Sequence, residues 1–278
     1  MQKTRLIPVV LVKNGHVVQS KGFRRHQILG NPSAIVWRLT NWFSDELVYL
    51  DITRRTDTRA VAAAKRSDLN YQFKESYGDV LREVGKKCFM PMSVGGWIRT
   101  LEDMRVRLAL GADKIAINTR ALAEPGIITE AAETFGSQCV VVSMDARRSG
   151  DSWEICSDYG KAPTGRAPTD WAREVENRGA GEILLNSIDR DGRADGYDLD
   201  LVDAVVRAVN IPVIALGGVG AWEHLSEAMD RAKPAAVAAA NIFQHTENSV
   251  FLAKKYLYER GYPVRPPEVR TVVSEGVI

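Results

Sequence analysis

The sequence predicts a single (β/α)₈ barrel, an α/β fold in which eight parallel strands alternate with helices. Eight short apolar runs recur along the 278 residues, and stretches with apolar residues at helical spacing, such as LEDMRVRLAL, separate them. The runs are continuously apolar, as expected of parallel strands that are buried on both faces. A doubly wound sheet is the alternative, but no G-x-G-x-x-G sequence opens a first helix.

The eight predicted strands are bounded by turn residues or by charged, helix-like segments. In chain order they are Leu6–Leu11, Leu47–Leu50, Pro91–Val94, Lys114–Ile117, Val140–Met144, Ile183–Leu185, Val213–Leu216 and Ala236–Ala239. Eight strand–helix units of this length fit a closed barrel better than an open sheet.

The chain also resembles itself, which predicts a barrel of two half-barrel repeats. VGGWIRTLEDM (94–104) recurs as LGGVGAWEHLSEAM (216–229), and DELVYLDIT (45–53) recurs as GEILLNSID (181–189). The first half is longer after its second strand, which predicts an inserted loop at about 54–73, either a lid or a solvated insertion. We expect one domain over 1–278, with a C-terminal tail from about 259 to 278.

Composition narrows the class of protein. The net charge is +2 without a block of like charges, so no nucleic-acid partner is expected. The apolar runs are strand-sized and no hydrophobic signal core opens the chain, so we expect a cytoplasmic protein without a membrane partner. The three cysteines lack metal-type spacing, and neither a metal nor a cofactor is expected.

Glycine pairs follow matching strands of the two halves. Gly95–Gly96 comes after the third strand and Gly217–Gly218 after the seventh, where backbone N–H groups can point at an anion. Asp191–Gly192, in the segment NSIDRDG, follows the sixth strand. Because active sites of such barrels lie at the carboxyl ends of the strands, these turns predict a phosphate-binding site there.

Four charged residues immediately precede strands at the opposite end of the barrel. They are two cations and two anions: Arg5, Glu46, Lys114 and Glu182. Buried charge is costly unless it is paired, so we expect a neutral ion-pair ring at the N-terminal rim. From the residues alone, this ring could be a purely structural layer.

Several segments together resemble one family, the cyclase subunit of imidazole glycerol phosphate synthase. They are SIDRDG with GYD, GADKIAINTRAL, FGSQCVVVSMDARR and RGAGEILL, and the resemblance extends from about Arg5 to Phe243. It implies a (β/α)₈ barrel that receives ammonia from a separate glutaminase through its interior. It also implies a substrate with two phosphates, and acid–base catalysis by aspartates at the ends of strands one and five.

The resemblance assigns the second catalytic aspartate to Asp145, whereas Leu11 occupies the place of the first. Gln19 stands where the family has a lysine, and Trp97 where it has a third glycine. All three changes fall in the N-terminal half of the site, which predicts an altered substrate. Trp97 is expected to narrow or close the first-half pocket, or else to turn outward under the loop at about 54–73. His16 and His26, in the long loop after strand one, could reach a ligand.

The remaining expected contacts to substrate and phosphate are polar or glycine residues at strand ends. They are Asp51, Asn118, Asn186, Asp191, Gly192, Gly217, Gly218, Ala240 and Asn241. A helix start at Ala240–Asn241 is expected to help bind one phosphate. The resemblance also makes the four residues of the ion-pair ring the gate to the ammonia channel.

The expected partner is a glutaminase subunit, bound as a heterodimer at the N-terminal face. The four histidines form no triad with a cysteine or serine, so this chain should not hydrolyse glutamine itself. With leucine at position 11, the chain resembles the cyclase-like paralogues of surface-polysaccharide (O-antigen) synthesis. This resemblance implies a sugar amidotransferase partner and a phosphorylated or nucleotide-linked substrate. A histidine-pathway cyclase and a non-catalytic ammonia conduit are the alternatives.

Overall fold

The computed structural model describes residues 3–54 and 77–267, and within them the chain forms a closed barrel. Its strands are β1 Arg5–Lys13, β2 His16–Lys21, β3 Arg25–Gly30, β4 Leu47–Asp51, β5 Met92–Gly95, β6 Lys114–Ile117, β7 Val140–Ser149, β8 Ser152–Ser157, β9 Ala162–Pro163, β10 Glu182–Ser187, β11 Val213–Leu216 and β12 Ala236–Ala239. Eight of these strands form the barrel, and each of the eight predicted runs overlaps one of them.

The barrel strands are β1, β4, β5, β6, β7, β10, β11 and β12, and each pairs in parallel with the next. Closure is made by β12 and β1, where Ala236 lies opposite Arg5. The predicted (β/α)₈ fold is therefore confirmed.

Helices surround the barrel. They are α1 Pro32–Asn41, α2 Tyr77–Gly85, α3 Leu101–Ala109, α4 Thr119–Ala123, α5 Gly126–Phe135, α6 Pro168–Asn177, α7 Leu199–Val206, α8 Trp222–Arg231, α9 Ile242–His245 and α10 Ser249–Glu259. Local sequence sets their starts: Asn31 caps α1 ahead of Pro32, and Thr100 with Asp103 forms a capping box on α3.

Two apolar cores result from the alternation of side chains along the strands. On β1, Leu6, Val10 and Val12 pack outward against the helices, whereas Ile7 and Val9 point into the barrel. The inner core consists of aliphatic side chains, several of them small. Its buried members are Ile7, Val9, Val48, Ala116, Val141, Leu184, Ile214, Leu216, Ala236 and Ala238.

A β-hairpin stands where the sequence predicted a long loop after strand one. Strands β2 and β3 pair antiparallel, with His16 at the start of β2 and His26 within β3. A second hairpin, β8–β9, follows β7 at the matching place of the other half. Leu11 lies opposite Val18 and Asp145 opposite Cys156, so both positions lie where a barrel strand continues into its hairpin.

Parts of the predicted organisation lie outside the described residues. These are positions 55–73 of the inserted loop and 268–278 of the C-terminal tail. Helix α10 ends at Glu259, at the predicted start of the tail, and 260–267 continue without helix or strand. Across 3–54 and 77–267, none of the helices has the length and apolar character needed to cross a membrane.

Candidate active site

A cavity of about 710 Å³ opens at the carboxyl ends of the barrel strands. All ten residues expected to bind or transform a substrate line it: Asp51, Asn118, Asp145, Asn186, Asp191, Gly192, Gly217, Gly218, Ala240 and Asn241. Leu11 and Trp97 line it as well. The size is typical of small-molecule sites, and residues from both halves of the barrel surround the same space.

Asp145 has the chemistry of a proton-transfer group. Burial is the main cause that raises its pKa, and the charge of Asp191 adds to it. Hydrogen bonds from Asn186 and Asn118 lower the pKa, and the resulting value is about 7. The Asn118 amide is the firmer partner, because its nitrogen lies 2.7 Å from the carboxylate and that of Asn186 lies 3.5 Å away. A carboxyl group that is half ionised at neutral pH suits acid–base catalysis.

The two asparagines beside Asp145 also present unused acceptors. Among the described residues, the buried Oδ1 atoms of Asn118 and Asn186 have no hydrogen-bond partner. Buried acceptors without a partner are costly, and here they lie on the cavity wall next to a carboxylate. Together the three side chains form an acceptor cluster suited to a ligand rich in N–H groups. The sequence showed the residue types but not this convergence.

Leu11 extends the inner apolar core to the floor of the cavity. It packs on the buried side chains of that core together with Leu50 and Ala240. On the neighbouring strand β4, Asp51 lies opposite Val12, the residue that follows Leu11. Burial raises the pKa of Asp51, and hydrogen bonds from Thr53 lower it, with a net increase. A hydrocarbon side chain therefore occupies position 11, where the resemblance places the first catalytic aspartate.

Asp191 is engaged with the first hairpin. Its Oδ2 accepts hydrogen bonds from the Ser20 hydroxyl at 2.7 Å and from the Phe23 amide at 2.9 Å. Asn241 adds a bond from its side-chain amide to the Ser20 carbonyl at 2.9 Å. These contacts hold the β2–β3 hairpin over the second half of the cavity. No sequence pattern indicated them, because the partners are about 170 to 220 residues apart.

The glycine pairs are required by packing between neighbouring loops. A Cβ on Gly96 would lie 2.4 Å from the Asp51 carbonyl oxygen, and one on Gly218 would lie 2.0 Å from that of Gly196. The close approach that excludes a Cβ at these two positions is therefore to protein backbone, and anion binding by the glycine N–H groups stays a prediction. The helix start expected at Ala240–Asn241 is present, since Asn241 is the N-cap of α9, but this helix has only one turn and therefore a small dipole.

Trp97 faces the cavity in a strained conformation. Its φ of 59° is in the left-handed region, which costs a bulky residue roughly 1–3 kcal/mol. The Arg99 guanidinium lies 5.5 Å from the centroid of its ring. Gln19, by contrast, does not line the cavity and pairs with Gln27 across the hairpin.

The ion-pair ring forms at the opposite end of the barrel, as expected. The Arg5 guanidinium contacts Glu46 at 2.6 Å and also contacts Glu182. Lys114 Nζ lies 2.9 Å from each of the same two carboxylates. Both carboxylates are almost fully buried, so each cation is shared by two anions and the four charges cancel. The inner core separates this ring from Asp145.

A second buried ion pair, which the sequence did not indicate, supports the same rim. Lys254 on α10 bonds Asp45 at 2.6 Å, and both side chains are at most 3% exposed. The other carboxylate oxygen of Asp45 accepts the amide hydrogen of Leu6 at 2.8 Å. The pair thereby joins the last helix to the residues beside Arg5 and Glu46.

Comparison with known proteins agrees with this architecture. Residues 5–248 match the family described as histidine biosynthesis protein. Imidazole glycerol phosphate synthase subunit HisF from Dehalococcoides mccartyi strain BAV1, and the same subunit from strain CBDB1, are each 42% identical over 265 residues. The alignments cover 95% of this chain and 99% of each relative. The chain therefore belongs to the HisF-like cyclase family of imidazole glycerol phosphate synthase.

Proposed function

We propose that this chain is the ammonia-accepting, cyclase-like synthase subunit of a glutamine amidotransferase complex. The proposal rests on the order of three features along the barrel axis. The ion-pair ring comes first, the inner apolar core follows it, and the acceptor cluster at Asp145 comes last. An apolar interior disfavours charged ammonium and admits neutral ammonia. The acceptor cluster then offers three oxygen-bearing side chains to its N–H groups.

A separate glutaminase is proposed to dock on the face that carries the ion-pair ring. The histidines of this chain form no nucleophilic triad in the sequence, so the nitrogen must be released elsewhere. A stable heterodimer of this kind buries about 1,200 Å² or more in total. The buried pair of Lys254 and Asp45 would keep the rim rigid beneath the partner.

Lys114→Ala should uncouple glutamine hydrolysis from use of its nitrogen. The substitution leaves Glu46 and Glu182 with one cation instead of two, so the ring should open or repack. In the complex, amide-¹⁵N glutamine and unlabelled ammonium compete as nitrogen sources. We expect product from the variant to contain more nitrogen from external ammonium.

Lys87→Ala is the matched control, because this exposed lysine lies in the segment that leads into β5, on the same face. It should leave the nitrogen source unchanged. An isotope ratio in Lys114→Ala equal to that of the parent would show that the ring has no gating role.

Two substrates are considered for this cyclase-like subunit. The names of both relatives and of the family favour imidazole glycerol phosphate formation in histidine biosynthesis over sugar amidation. Leu11 is the observation that favours a different substrate, since it puts hydrocarbon where the resemblance requires an acid. We propose amidation of a phosphorylated or nucleotide-linked sugar in surface-polysaccharide synthesis, with a sugar amidotransferase as a further partner. That finer assignment rests on the resemblance and on Leu11.

Expression in a histidine auxotroph that lacks its cyclase, together with a matched glutaminase, separates the two substrates. We expect no growth without histidine, because loss of one of two proton-transfer groups costs about 10²–10⁴-fold. Leu11→Asp alone should not restore growth, since Trp97 still occupies the cavity wall. Growth at normal expression would establish the histidine-pathway role and end the sugar proposal.

A further inference from the structure

Two walls of the cavity are lined by different kinds of groups. The wall formed after β10, β11 and β12 presents Gly192, Gly217, Gly218 and Asn241, so an anion there meets backbone and amide groups. The wall formed by the segments after β4 and β5 and by the β8–β9 turn presents charged and aromatic side chains. We call this second set the aromatic–cationic wall: Arg54, Trp97, Arg99, Tyr159 and Lys161.

Each aromatic ring of this wall carries a guanidinium group. Arg54 lies 5.1 Å from the ring centroid of Tyr159, and Arg99 lies 5.5 Å from that of Trp97. Tyr159 is held in place by a hydrogen bond from its hydroxyl to the Thr53 carbonyl at 2.9 Å. A guanidinium group at this distance is attracted to the ring, and the N–H groups of Arg99 can in addition donate to phosphate oxygens.

Two cations of this wall, Arg99 and Lys161, form no ion pair with a carboxylate of the described residues. Arg120 on the cavity edge, by contrast, is neutralised by Glu124 at 2.5 Å. Asp158, next to Tyr159, is the exposed carboxylate among the residues that line the cavity. The other carboxylates that line the cavity, Asp51, Asp145 and Asp191, lie deeper and are buried or half-buried. A ligand would therefore place its phosphates at the rim and its reacting group near Asp145.

The backbone gives an independent indication. Of the described non-glycine residues with positive φ, Phe23, Trp97, Asp158 and Tyr159 all line this cavity. Strained residues persist where the surroundings hold them, and they cluster at ligand sites. Three of the four are aromatic, which places several π-faces around the mouth of one pocket.

We infer that the aromatic–cationic wall binds a nucleoside diphosphate group, with its base against Trp97 or Tyr159 and its phosphates on Arg99 and Lys161. This inference rests on the proposed function, because it assigns the substrate class to the same cavity. The sugar carried by the diphosphate would extend inward to Asp145. A base that stacks and a diphosphate that bridges cations require both kinds of side chain found on this wall.

Calorimetric titration of the purified chain with UDP, ADP, uridine and inorganic diphosphate tests the inference. We expect at least one of the two nucleotides to bind about tenfold or more tightly than inorganic diphosphate, because stacking adds to charge pairing. Trp97→Gly should abolish that preference. Glycine tolerates the backbone conformation of residue 97, so this variant should fold.

Arg99→Gln should weaken nucleotide binding by about tenfold, since a charge-assisted contact to phosphate is lost. Arg105→Gln is the matched control: this arginine also lies over an aromatic ring, that of Phe135 at 5.6 Å, but does not line the cavity. It should change binding less than twofold. Thermal melts of each variant confirm the fold.

Three outcomes would overturn the inference: no binding of either nucleotide at millimolar concentration, equal affinity for inorganic diphosphate, or equal effects of Arg99→Gln and Arg105→Gln. The titration needs neither the glutaminase nor turnover. Failure here together with intact nitrogen transfer in the isotope experiment would leave the ammonia-accepting role standing. Loss of nitrogen transfer with nucleotide binding intact would contradict the proposed function alone.

Discussion

Asp145→Asn should reduce ammonia-dependent turnover by about 10²–10⁴-fold, the usual loss when a proton-transfer group is removed. Asparagine matches aspartate in shape but cannot exchange a proton, so the neighbouring Asn118 and Asn186 can stay in place. Turnover would be followed with ammonium as nitrogen source, and in cells by restoring the gene to a strain that lacks it. Retained function in both assays would favour the non-catalytic conduit, which needs the ion-pair ring but not Asp145.

The same substitution should stabilise the fold, and this measurement needs no substrate. The pKa of Asp145 is about 7 in the folded chain, against an ordinary value of 3.8. Between pH 4 and pH 7 the folded state binds more protons than the unfolded state, so this carboxyl makes stability fall as pH rises. The melting temperature of Asp145→Asn, relative to the parent, should therefore increase from pH 4 to pH 7 and then level off.

Asn118→Leu serves as the control for that stability measurement. It removes a hydrogen bond to Asp145 and leaves the carboxyl able to ionise, so its difference in melting temperature from the parent should not follow the same pH curve. Parallel pH curves for Asp145→Asn and the parent would mean that Asp145 titrates near its ordinary value.

Lys254→Met should destabilise the chain by about 3–5 kcal/mol, because it leaves the Asp45 carboxylate buried without its main partner. Arg265 is 3.8 Å from that carboxylate and largely exposed, so it compensates little. Urea unfolding of parent and variant measures the difference. The free energy of unfolding should recover in part when Asp45→Asn is added, since the uncompensated charge is then removed.

Lys255→Met tests the same side-chain change one residue later. Lys255 is half exposed and lies 3.7 Å from Glu259, so its loss should cost less than 1 kcal/mol. If Lys254→Met and Lys255→Met had equal free energies of unfolding, the buried Lys254–Asp45 pair would contribute no more to stability than the exposed Lys255–Glu259 pair.

The barrel could be predicted from sequence because each strand has its own local signal. Apolar runs such as Lys114–Ile117 and Val213–Leu216 coincide with strands β6 and β11 to the residue. The hairpins could not be predicted in this way. Strand β3 is half-exposed and polar, and its pairing depends on contacts with β2 and not on burial of its own side chains.

The site was predictable at the level of residue types and strand ends. The ten residues expected to bind or transform a substrate line one cavity because the carboxyl ends of parallel strands meet there. What sequence could not show are contacts between distant segments: Asp191 with Ser20, or Lys254 with Asp45. The strained turn at Trp97 was also hidden, since backbone angles depend on the surrounding loops.

The pairing of β12 with β1 has a consequence for how the chain folds. Closure joins Arg5 to Ala236, and the Lys254–Asp45 bond that secures it spans 209 residues. Contacts of such sequence separation carry a large loop-closure entropy and form late in folding. During synthesis, β1 therefore presents an unpaired strand edge until β12 has emerged from the ribosome, so this edge is where we expect chaperone dependence and aggregation to begin.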